Sequence, residues 1–191
     1  IRGAQLRAKI DASGCCGAAE LIKLWAYTLT EYARVVHLDM DSLVLAPLGA
    51  VVRPRAAARF DADAPGSLVY TFDYNMAGPA ARAPPIQGGF LAITPSRATF
   101  DALLDVVREG DYRFADGSGW GGAHVGAGWG GQTVQGLLPY YYLVRAPNAS
   151  SLEVDRCAFN NMVDNPRGAR YEPAFVPHAA SGAWHAVGPD C

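Results

Sequence analysis

The sequence predicts an α/β domain, and three observations predict it. An apolar pattern at helical spacing near the start passes within a few residues into a short β-branched run. Further short apolar runs and one more helical pattern then alternate along the chain. The composition is that of a folded protein: 50% of the 191 residues are hydrophobic and 18% are charged, whereas disordered chains are poor in apolar residues and rich in charge. The length suits one domain, at roughly 100–200 residues each, and residues 1–191 are read as one unit. The 16 basic and 18 acidic side chains leave a formal charge of −2. That balance lacks the basic surplus that drives phosphate-backbone binding and argues against a nucleic-acid partner. No apolar run approaches the ~20 residues that span a bilayer; the longest, residues 137–144, contains three tyrosines.

Taken in order, Leu21, Trp25, Leu29 and Tyr32 fall at steps of four, four and three. They predict a helix over 18–32 with one apolar stripe, Lys23 and Thr30 lying off it. Residues 35–38 (Val-Val-His-Leu) suit a short buried strand. Residues 53–66, rich in Arg, Ala, Asp and Pro, predict a surface loop or irregular helix. Residues 68–71 predict a strand, 75–85 with their glycine and prolines a loop, and 90–93 another strand. Ser96 is placed to cap a helix whose core face is Phe100, Leu103, Leu104 and Val107, with Gly110 placed to end it. Residues 117–131 hold eight glycines and two tryptophans, too many glycines for a regular element; loops this long in compact domains are usually functional or disordered.

The most informative motif is Asp39-Met40-Asp41. In an extended segment, side chains at i and i+2 share a side, so both carboxylates can converge on one cation. The competing reading is a pair of acids capping a surface turn. Of the histidines, His37 suits a hydrogen-bonded imidazole in or at the edge of the core, while His178 and His185, near the end, are placed to complete an oxygen-rich metal site. The four cysteines, Cys15, Cys16, Cys157 and Cys191, form no CxxC pair, which argues against zinc. Residues 126–131 spell GxGxxG without the preceding strand that a dinucleotide fingerprint requires. The Asn148-Ala149-Ser150 sequon matters only in a secretory compartment. Both the cytoplasm and the secretory-pathway lumen stay open, any targeting segment being expected outside the chain.

The run from Leu21 to Tyr32, LIKLWAYTLTEY, followed by VVHLDMDSLVL from Val35 to Leu45, resembles the family 8 glycosyltransferases, glycogenin and its relatives. In that family a helix carrying a Lys-Leu pair and a nearby Trp feeds a strand ending in DxDxLVL. The likeness continues in residues 86–96 (IQGGFLAITPS), and Gln135-Gly136-Leu137-Leu138 is similar to the family's D-Q-G-x-L segment. The resemblance implies a GT-A (Rossmann-like) mixed sheet flanked by helices and a metal-dependent hexosyltransferase. Such an enzyme moves a hexose from a UDP-sugar donor to a carbohydrate or protein hydroxyl, with retention of configuration, using Mn²⁺ or another divalent cation. By residue, it implies Asp39, Asp41 and His185 as metal ligands, with Gly188 following in an H-x-x-G pattern. Lys23 then contacts the donor, Gln87 and Gly88 stand where the family contacts the sugar, and Gln135 lies near the anomeric carbon. Two positions depart from the pattern: Val134 replaces an acid, and Cys191 falls where the family has a lysine. The family's first strand-helix units have no counterpart at the start, so the chain is expected to be a partial catalytic domain. The alternative is a non-catalytic sugar- or nucleotide-binding relative of the same fold.

Overall fold

A computed structural model describes residues 17–54 and 60–160. Its centre is a mixed four-stranded sheet of β1 (Val35–Leu38), β2 (Leu68–Phe72), β3 (Ile86–Ile93) and β6 (Ser151–Glu153), in the order β1-β3-β2-β6. β3 pairs antiparallel with both β1 and β2, and β2 pairs parallel with β6. A two-stranded ribbon, β4 (Tyr112–Arg113) with β5 (Gly119–Trp120), stands apart from that sheet. The helices are α1 (Gly49–Val52), α2 (Arg97–Glu109), α3 (Val134–Tyr140) and α4 (Arg156–Phe159). A 3₁₀ helix, Gly17–Thr28, precedes them all, and a π turn, Tyr141–Arg145, continues α3. The fold class is α/β.

The sheet is covered on both faces, following the period-two alternation of strand side chains. Leu68, Tyr70, Phe72, Leu91 and Ile93 point into the larger core with Phe100, Leu103, Leu137 and Leu138. Val69, Phe90 and Ala92 point the other way, onto Val51 and Phe60. The α2 boundaries follow the capping chemistry. Ser96 Oγ accepts from the Thr99 amide at 3.2 Å, and Gly110 ends the helix in the left-handed region at φ 61°. Phe100 and Leu103 are buried as the spacing predicts, but Val106 is the third fully buried position, with Leu104 and Val107 only partly covered.

Two expectations need correction. The first helix is narrower and shorter than an α-helix over 18–32. A 3₁₀ helix has three residues per turn and eclipses i with i+3, so the inward row is Leu21, Leu24 and Tyr27. Trp25 and Tyr32 of the expected stripe are each 58% exposed, although Trp25 still touches the Phe100 ring at 5.3 Å. The strand at 35–38 is half-buried throughout, because it sits at the sheet edge with β3 along one side only.

The glycine-rich segment packs backbone against backbone. Trp120 is buried, and its indole N–H donates to the Gly131 carbonyl at 2.9 Å. The start of α3 lies directly on this loop: a Cβ at Gly136 would run into the Gly131 carbonyl oxygen and come within 2.6 Å of that of Gly126. Residues 126–131 are therefore a turn-rich wall ahead of α3, and no strand leads directly into them. Gly136→Ala is expected to lower stability by about 3 kcal/mol, read from the urea midpoint; an unchanged midpoint contradicts this packing.

At the far edge, Glu153 on β6 accepts from the Tyr74 hydroxyl at 2.8 Å. Burial, opposed by that bond and reinforced by the nearby Asp155 charge, pushes its carboxyl from an ordinary 4.5 up to about 8. The unfolded chain then binds fewer protons than the folded one between those values, so stability falls as pH rises from about 4.5 to 8. The loss is on the order of 5 kcal/mol. Glu153→Gln is expected to flatten that slope in urea titrations across the pH range; a slope identical to wild type removes Glu153 as its source.

Candidate functional site

The site begins with an irregularity in β3. Tyr70 lies opposite Leu91, while Phe72, two residues on, lies opposite Ile86, five residues back. The extra residues bulge out of β3, and they include Gly88 and Gly89. Glycine inside a strand marks a bulge or a close approach of other groups, and both occur here. A Cβ at Gly88 would come within 3.4 Å of Lys23 Nζ and of Gln135 Cγ, and one at Gly89 would lie 2.9 Å from Asp39 Oδ2. The two bare α-carbons are the floor on which side chains from three other elements meet.

Lys23 reaches this floor from the first helix. It is 8% exposed, and its ammonium lies 2.7 Å from Glu20 Oε2 and 2.9 Å from Asp39 Oδ1. Three-residue spacing on a 3₁₀ helix stacks Glu20 directly over Lys23. Asp39 is fixed by the sheet: its amide donates to the Gly89 carbonyl at 3.0 Å as β1 ends. His37 Nε2 also approaches Asp39 Oδ1, at 3.2 Å. A charge taken out of water is costly unless it is paired and hydrogen-bonded. One ammonium between two carboxylates, one of them also bonded by an imidazole, satisfies that requirement.

Gln87, half-buried on β3, folds its side-chain oxygen back to accept from the Gly89 amide. Gln135, at the second position of α3, is 8% exposed and donates through Nε2 to Met76 Sδ at 3.2 Å. The structure thus brings together Lys23, Asp39, Gln87, Gly88 and Gln135, five of the residues that the sequence singled out. Asp41 is placed otherwise. Extended geometry ends at Leu38, and the Ser42 amide bonds back to the Asp39 carbonyl at 3.0 Å. Asp41 is therefore exposed on a tight turn, and the i, i+2 alignment of a strand does not govern the pair. His185 and Gly188, together with His178, lie outside the described residues.

Among the described residues no three His, Cys, Asp or Glu side chains gather into a metal-holding group. The oxygen donors on offer are Asp39, whose Oδ1 is engaged while Oδ2 overlies Gly89, and the exposed Asp41. A hard divalent cation bound by one or two carboxylates would need phosphate oxygens and water to complete its coordination there.

Sequence reasoning passed over Glu20 and Gly89. The spacing of Glu20 to Lys23 was a usable signal, whereas Gly89 acquires its meaning only from the bulge. Lys23 itself reads as an off-stripe helix position and is buried. Lys23→Met is expected to lower stability by about 3 kcal/mol, because it strands two carboxylates. An unchanged urea midpoint would show the ammonium to be dispensable to the fold.

Beside the cluster opens a cleft of about 380 Å³, lined by Gly78–Ala80, Tyr112–Phe114, Asp116, Trp129 and Gln135 among others. Gln135 belongs to both, with its side chain against Gly88 on one side and the cleft on the other. Comparison of the chain with protein-family models, with curated proteins and with solved structures returned no match.

Proposed function

We propose that the protein is a metal-dependent glycosyltransferase of the GT-A type that moves a hexose from a UDP-sugar to a hydroxyl acceptor with retention. The observation that carries this reading is the meeting of Lys23, Asp39, Gln87, Gly88 and Gln135 at one bulged strand. They come from four separate stretches of sequence, and the resemblance to family 8 glycosyltransferases assigns each a donor- or metal-contacting role.

The residue chemistry supports it. In the transfer, the bond from the anomeric carbon to the diphosphate oxygen breaks, and its electron pair leaves with the diphosphate. The acceptor oxygen bonds to the same face of that carbon, and the hydroxyl proton passes to the departing diphosphate. Asp39 and Asp41 would hold Mn²⁺ or a similar cation, with His185 as the third ligand implied by the resemblance. When bound, that cation supplies positive charge where the diphosphate departs. Lys23 holds Asp39 by Oδ1 in a fixed orientation and adds its own positive charge beside the donor's phosphates. Gln87 and Gly88 border the sugar, and Gln135 presents its amide to the reacting carbon.

A second reading, a non-catalytic sugar- or nucleotide-binding relative, draws on two observations. Val134 stands where the family has an acid, and Asp39 Oδ1 is already engaged by Lys23 and His37. Calorimetry with UDP-glucose and UDP-galactose, with Mn²⁺ or with EDTA, tests binding, and UDP release tests turnover. The transferase reading expects donor binding that EDTA abolishes, together with UDP release. Asp41→Asn is expected to weaken Mn²⁺-dependent donor binding by about tenfold with no loss of fold, since Asp41 is exposed. Donor binding without UDP release favours the second reading; wild-type Mn²⁺ affinity in Asp41→Asn removes that residue from the metal site.

A further inference from the structure

We propose that the cleft beside Gln135 is a saccharide-binding subsite, which, resting on the transferase reading above, makes the acceptor a carbohydrate and not a protein side chain. The wall that carries Trp129 is tied down from below. The Trp129 amide donates to the Met76 carbonyl at 3.0 Å, and the Gly78 amide donates to that of Ala127 at 2.8 Å. Gly128 passes so near Met76 that a Cβ there would collide with its carbonyl oxygen. On this fixed backbone the Trp129 indole remains 56% exposed, while Trp120, nine residues earlier, is buried with its N–H satisfied. A large aromatic on an anchored backbone, open to solvent in the lining of a cleft, offers a ring face to a ligand.

Two more aromatic residues line the same cleft. Tyr112 is anchored edge-on against Trp120 at 5.4 Å, and Phe114 packs on Tyr112 at 4.5 Å while remaining 36% exposed. Next to it, Asp116 Oδ1 accepts from both the Ser118 amide at 3.0 Å and the Ser118 hydroxyl at 2.6 Å. Those two bonds orient the carboxylate and hold it below the ordinary carboxylate range, the hydroxyl bond being the larger influence. Exposed aromatic rings, a fixed carboxylate and an amide from Gln135 lining one cleft are groups that a pyranose ring uses. Its C–H faces lie on aromatic rings, and its neighbouring hydroxyls donate to planar oxygens. A cleft of mostly apolar and aromatic lining with a few placed polar groups is also the general form of a small-molecule site, and about 380 Å³ falls in the usual range. Because Gln135 both lines the cleft and lies against Gly88, a ring seated in the cleft would be a neighbour of the donor site.

The experiment is saturation-transfer NMR and calorimetry on the full 191-residue chain with lactose, maltotriose, cellotriose and xylotriose as probes, run beside a UDP titration. At least one of the four is expected to bind saturably. Trp129→Ala and Phe114→Ala are each expected to weaken that binding by about tenfold while leaving UDP affinity and the circular dichroism spectrum unchanged, since both side chains are exposed. Saccharide binding without UDP or UDP-sugar binding sinks the transferase reading but supports the subsite. The proposal is overturned if UDP-sugar binds and none of the four saccharides does. Undiminished saccharide binding in both aromatic variants, or competition by a serine- and threonine-bearing peptide in place of the sugars, also overturns it.

Discussion

A buried lysine decides how the first helix meets the sheet. The Lys23 ammonium is nearly closed off from water and lies within 3 Å of carboxylates from its own helix and from the end of β1. Neither carboxylate can move away without leaving a charge uncompensated, so the pairing sets both the rotation of the helix and the position at which β1 ends. The inward row of Leu21, Leu24 and Tyr27 then falls against α2 and the sheet, with the Tyr27 hydroxyl 3.0 Å from that of Tyr142. Hydrophobic burial supplies most of the driving force but is indifferent to small rotations. The ion pair is directional, and it selects one of them.

The ion pair in turn needs room, and β3 provides it by omission. At Gly88 and Gly89 the central strand leaves its regular register and presents two α-carbons without side chains. Lys23, Asp39, Gln87 and Gln135 occupy the space that two Cβ atoms would take. The same economy recurs at Gly136, where the carbonyl oxygens of Gly126 and Gly131 lie against the backbone of α3. Gln135, next to Gly136, is held in place by that packing and separates the charged cluster from the aromatic cleft. Dense backbone packing in a loop is what allows a segment rich in glycine to hold two tryptophans in opposite states, one buried and one open.

Much of this was legible residue by residue. Ser96 and Gly110 marked the ends of α2 because capping is local chemistry, decided within four residues. The apolar runs at 68–71 and 90–93 lie within β2 and β3, although β3 begins four residues earlier, at Ile86, and the family resemblance had already named Lys23, Asp39, Gln87, Gly88 and Gln135. The inward face of the first helix was not legible. Four-residue and three-residue spacings are both present among its apolar positions, and only the structure selects the tighter winding that places Leu24 and Tyr27 inside. The edge position of β1 was hidden for a similar reason, since Val-Val-His-Leu is as apolar as a central strand.

Residue type and short spacings were enough for the fold class, the caps of α2 and the apolar runs inside β2 and β3, while the side chains proposed to meet phosphate, cation and sugar were named by a family resemblance. Tertiary structure alone decided which of them meet. The distance from Lys23 to Asp39, the turn that sets Asp41 on the surface and the bulge that gives Gly89 its purpose depend on how β1, β3 and the first helix pack. So does the cleft, whose walls come from residues 78–80, 112–117 and 128–135. A site assembled from segments this far apart has no signature in any one of them, since its geometry is fixed by long-range burial and not by neighbouring residues.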